Sequence, residues 1–271
     1  MAKATVLVLL AAVACKTRQQ PPAPHPPAAA ANDPWSVPAG SSLDVPAWAH
    51  DPPTVLRDKI NGVNAHVVVL KSQASFPEYR DVLAVAERTP SVAAAEAFIF
   101  VEGDIAKGSA APVQTALKAV DPARVDRVLT IGKHMVTGTL ASLTTGEPAP
   151  IVLGDGLARK LAARVGDDVA VTLPADDRPA RTKVFRVTGM FHMDFDEYDD
   201  RLALAALPAV QALVDRGDQV MGIEMTVNDI DHADAVAKAV ETTLGGPPYQ
   251  AMDWYELNKN LFTTLFGDKR P

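Results

Sequence analysis

The sequence predicts an α+β fold for everything beyond residue 53, on three observations. Short β-branched runs such as Ala65–Leu70 and Gly222–Val227 have the composition of buried strands. Pro77–Arg88, Leu207–Val214 and Ala233–Leu244 carry apolar residues at helical spacing. The two kinds of segment alternate without the long parallel strand–helix series of a doubly wound sheet. With 271 residues, 48% of them hydrophobic, the chain has apolar material for a substantial core. A net charge of −7 offers no basic footprint for phosphates, so a nucleic-acid partner is not expected.

The chain begins with Lys3, the apolar run Val6–Ala14 and then Cys15, the single cysteine. A charged start, a short apolar stretch and small residues before a cleavage point make a secretory signal, too short to span a bilayer. Ala12-Val13-Ala14-Cys15 is similar to a bacterial lipobox, which would make Cys15 the acylated end of an exported, membrane-anchored protein in the periplasm. Residues 16–53 hold ten prolines and runs of alanine, a composition that stays extended and buries no core. This segment is expected to be a tether, with Trp35 and Trp48 incidental to it.

The folded region starts at Thr54. Leu56–Ile60 opens a helix, Ala65–Leu70 a strand, Pro77–Arg88 a helix and Val92–Val101 a strand. Val113–Val120 alternates as a strand, and Asp121-Pro122 caps a helix over Ala123–Leu129. After a Gly- and Thr-rich loop, Ile151–Gly154 is a strand end turning into a helix over Asp155–Ala162. Val169–Leu173 and Lys183–Thr188 form a hairpin with a polar tip. The last segment, Trp254–Phe266, places Trp254, Leu257, Leu261 and Leu265 on one helical face.

Catalytic chemistry finds little purchase. There is no GxSxG turn, no phosphate-binding GxxxxGK[ST] loop, and the only thiol lies in the leader, so no enzyme activity and no cofactor is expected. The acidic run His192–Asp200 has metal-ligand residue types, and a strand there would set His192, Asp194 and Asp196 on one side. It lacks the glycine-punctuated spacing of a calcium loop, so a solvated strand edge is the expected role and no metal is assigned. His66 and His134 lie beside apolar segments and read as packing or surface residues. Met190, Phe191, Met193 and Phe195 form an apolar cluster that is a candidate patch for an acyl chain or partner if exposed, and core filling otherwise.

Four segments in order carry a family resemblance: Leu56–Val69; Pro150–Gly154 with Leu157-Ala158 and Val165-Gly166-Asp167; Phe185–Phe191 with Glu197-Tyr198-Asp199; and Asp253-Trp254 with Leu257-Asn258 and Asn260-Leu261-Phe262. Together they resemble the periplasmic domain of lipoprotein-releasing ABC transporter permeases of the LolC/LolE type, which has a MacB-like periplasmic core. The resemblance implies a porter-like α/β subdomain from residues 54–102 and 219–271, with an inserted, mostly β, sabre-like subdomain over 103–218. It implies a binding or accessory role in lipoprotein transport or efflux. The implied partners are ABC permease and ATPase subunits, lipoproteins and a periplasmic lipoprotein chaperone. A truncated or split permease subunit is the alternative, and a metal-dependent envelope enzyme a further one. The family's chaperone hook corresponds here to a short, charged hairpin tip, making Pro174, Asp176, Asp177, Arg178, Pro179 and Arg181 the candidate partner-binding residues.

Overall fold

The computed structural model describes residues 51–72, 75–144, 146–174 and 179–266. Cys15, the rest of the leader and most of the proline-rich segment lie outside this range, as do Asp176, Asp177 and Arg178 of the hairpin tip.

Ten strands form one mixed sheet. Its first part comes from the two ends of the described chain. Strands β1 (Val67–Lys71), β9 (Gly222–Val227), β10 (Tyr249–Asp253) and the first half of β2 (Val92–Ala106) lie in the order β10-β1-β9-β2, every pair antiparallel. Val67, Val68 and Val69 have no exposed surface, which is why a run without polar alternation reads as a strand covered on both faces. Helix α2 (Tyr79–Arg88) lies on β2 and β9, and α7 (Ala233–Thr243) on β1 and β10. Helix α1 (Pro53–Val63) starts with a proline in its first turn and buries Leu56, Ile60 and Val63.

The second part grows from the other half of β2. Its residues 92–98 pair with β9, but from Ile99 onward it pairs with β3 (Val113–Val120), and from Asp104 also with β6 (Asp168–Leu173). Beyond β3 come β8 (Leu202–Ala206), β5 (Ala149–Gly154), β7 (Arg181–Phe191) and β4 (Met135–Thr137). The β3–β8 and β5–β7 pairs are parallel, and the rest antiparallel. Helices α3 (Val125–Val128), α4 (Asp155–Lys160), α5 (Asp196–Asp199) and α6 (Leu207–Val214) are short. The mixed α+β class expected from the sequence is the class observed.

Two departures from the expected elements have physical causes. The 254–266 segment is two helices, α8 (Trp254–Leu257) and α9 (Lys259–Phe266), parted at Asn258. The Asn258 amide donates back to the Trp254 carbonyl at 2.8 Å, the local bond by which asparagine competes with helix. Trp254 is buried and meets Phe262 edge-on at 5.6 Å, while the Arg57 guanidinium of α1 lies 5.9 Å from its ring centre. The second departure is at residues 192–195, which are not a strand. Asp194 has a φ of 55° and α5 begins at Asp196.

Candidate functional site

The β6–β7 hairpin is the candidate docking element, and alternation along it sorts its side chains. Val169, Val171 and Phe185 point inward and are buried. On the outer face the registered pairs are Asp168 with Arg186, Ala170 with Val184 and Thr172 with Thr182. Arg186 makes a two-pronged bond to Asp168, at 2.8 and 3.0 Å, which holds that carboxyl below its ordinary range. The two threonine hydroxyls meet at 2.8 Å. Between these polar rungs Val184 is 45% exposed. The outer face therefore offers one small apolar step between a salt bridge and a hydroxyl pair.

The hairpin is rooted at several points. Arg181 Nη1 donates to the Val214 carbonyl at 2.9 Å and Nη2 meets Asp215 at 2.6 Å, placing a cation on the C-terminus of α6, where the helix dipole is negative. Lys107 reaches Asp167 at 2.6 Å and the Ala162 carbonyl at 2.7 Å, and its hydrogen bond, with that of the Arg164 amide, holds the Asp167 carboxyl below its ordinary range. Gly103 of β2 sits so close to β6 that a Cβ there would lie 2.5 Å from the Thr172 carbonyl oxygen. Of the candidate tip residues, Pro174 and Pro179 are exposed, and Arg181 is committed to α6 rather than free for a partner.

The apolar cluster beside the hairpin is core. Phe191, Met193 and Phe195 are 0%, 5% and 1% exposed, and Met190 is half-buried. The Phe195 and Tyr198 rings meet at a 60° tilt with centres 4.9 Å apart, and Met193 reaches α1 at Gly62. The exposed-patch alternative is thereby corrected, because β7 and α5 fold these side chains inward.

The expected alignment of His192, Asp194 and Asp196 along a strand also fails, and a different group forms. His192 Nδ1 lies 3.1 Å from Asp155 Oδ1 and 3.3 Å from Asp199 Oδ2, and Nε2 lies 2.9 Å from Asp194. Hydrogen bonding to Asp155, with the charges of the neighbouring carboxylates, raises the His192 pKa despite some desolvation. Asp199 is buried and accepts the Met193 and Phe195 amides at 2.7 and 3.2 Å. Asp155 also pairs with Arg159. Each carboxylate is thus already engaged by protein donors, and His192 ties α4, α5 and the end of β7 together. Sequence distance hid Asp155, 37 residues away. His66 is a packing residue, as expected. Its Nδ1 accepts the Val227 amide at 3.1 Å, and burial lowers its pKa. No described helix is long and apolar enough to cross a membrane.

A family model for the MacB-like periplasmic core domain matches residues 51–243. The LolC transmembrane protein of the lipoprotein-releasing system from Xylella fastidiosa strain 9a5c is 31% identical over 220 residues, covering 79% of this chain and 52% of that protein. Its counterpart from Neisseria meningitidis serogroup B is 25% identical over 221 residues. The chain spans about half the length of the curated relatives it matches. Among solved structures, the periplasmic region of MacB from Actinobacillus actinomycetemcomitans is similar at a TM-score of 0.49 and 12% identity, over 78% of this chain and 97% of that one. The family match over residues 51–243 and the 31% identity to LolC over 220 residues place this protein in the MacB-like periplasmic core domain family.

Proposed function

We propose that this protein is a non-catalytic binding module serving an ABC-type lipoprotein-release or efflux system from the periplasmic side, held at the membrane by acylation of Cys15. The observation that carries the reading is the 31% identity to LolC over 220 residues. A small outer face, anchored through Arg181, Lys107 and Gly103, suits a surface that presents its tip to another protein without deforming. The residues for that contact are Pro174, Asp176, Asp177, Arg178 and Pro179.

Affinity capture from detergent-solubilised envelopes of the native bacterium tests the role. Recovery of an ABC permease with its ATPase is the expected result, and recovery of neither rejects the reading. Metabolic labelling with radioactive palmitate tests the anchor separately. Label is expected on the wild-type chain and absent from Cys15→Ser, which should leave the membrane fraction.

A further inference from the structure

Three ionisable side chains lie wholly inside the protein where β2 changes partners. Glu96 on β2 and Glu224 on β9 are directly opposite each other in the antiparallel register, and both are 0% exposed. Directly opposed side chains have Cβ atoms about 5 Å apart. Lys118, 1% exposed, comes from β3 on the other side of β2. Its ammonium donates to Glu224 Oε2 at 2.7 Å and to the Val63 carbonyl of α1 at 2.9 Å, and it lies 5.7 Å from the Phe98 ring centre. Glu96 Oε2 accepts the Asp121 amide at 2.8 Å.

The set holds two buried carboxyls and one ammonium, and the second oxygens of both carboxyls, Glu96 Oε1 and Glu224 Oε1, have no hydrogen-bond partner. Two facing carboxylates with one cation would bury an uncompensated negative charge, a costly arrangement. A proton on Glu96 removes that charge. Two further charged groups, Arg124 and Asp121, lie near Glu96. Arg124 contacts the Ala95 carbonyl at 3.2 Å but is shared between Glu87 and Asp121, and the Asp121 carboxyl adds negative charge. Burial, followed by the charge of Glu224, pushes the Glu96 carboxyl upward.

We propose that Glu96 carries a proton where it faces Glu224, and that this proton together with Lys118 locks the junction between the two parts of the sheet and releases it when the proton leaves. The location supports a lock. Lys118 belongs to the part built on β3, whereas Val63 and Glu224 belong to the part built from the chain ends, so the ammonium bonds cross the boundary.

Carbon NMR of protein labelled at the glutamate side-chain carboxyl tests the proposal on the wild-type chain. One glutamate should remain protonated at neutral pH and should deprotonate at a midpoint shared by the backbone amides of Lys118 and Glu224. All glutamates ionised at neutral pH, or a midpoint not shared by those amides, would overturn it. In the Glu96→Gln variant the protonated resonance should vanish. In denaturant unfolding, the wild-type unfolding constant should rise relative to that variant by about tenfold per pH unit above the ordinary glutamate range, until the raised value is reached. A wild-type to variant ratio that stays flat with pH would also overturn it.

Discussion

At the scale of single residues, close approach and charge decide the sharpest outcomes. Gly103→Ala forces a methyl against the Thr172 carbonyl oxygen, a backbone atom that cannot swing aside. The expected loss is about 1–3 kcal/mol in denaturant unfolding, with the damage at the β2–β6 seam. His192 gives a pH signature. Because its folded pKa is raised, its contribution is fully present below the ordinary value of 6.5 and is lost as pH rises through the folded value. His192→Gln should flatten that slope in thermal melts. The change should stay under about 1 kcal/mol, since the ring is 42% exposed and screened by solvent. The sequence showed His192 and its acidic neighbours but not Asp155, because the parallel β5–β7 pairing that brings them together leaves no local pattern. The apolar character of Met190–Phe195 was legible too. Its direction was not, since it depends on α5 turning back over β7.

At the scale of elements, composition was readable where it agreed with structure and silent where packing overrode it. Strand β3 was legible at both ends, from Val113 to Val120. Strand β8, Leu-Ala-Leu-Ala-Ala, went unassigned because leucine and alanine carry no strand preference, and only its burial between β3 and β5 makes it a strand. Strand β10, Tyr249–Asp253, went unassigned for a similar reason. It is an edge strand whose pattern is broken by Gln250 and Asp253. Its free side is blunted by Glu241 of α7, which accepts the Ala251 amide at 2.8 Å, and by the Gly246 carbonyl, which takes the Tyr249 amide. Glu241→Ala should expose that edge and raise self-association in analytical ultracentrifugation. Where α8 meets α1, Trp254→Ala should cost about 3–5 kcal/mol, because the ring is almost wholly enclosed against Phe262, Tyr255 and Arg57.

At the scale of the whole molecule, the order of four motifs along the chain was enough to recognise the family, although no one motif was decisive. What the sequence could not convey is that both parts share a single sheet. Arg181→Met removes a cation that ties the hairpin to α6 without emptying a cavity. Faster amide exchange is therefore expected in β6 and β7, with little change in β1, β9 and β10. Strand β2 makes this separation physical. Its 15 residues span roughly 50 Å, and its neighbours change at Ile99. A sideways push on the hairpin reaches the far helices as torsion along that ribbon, resisted where its partners switch by the Lys118 bonds that cross there.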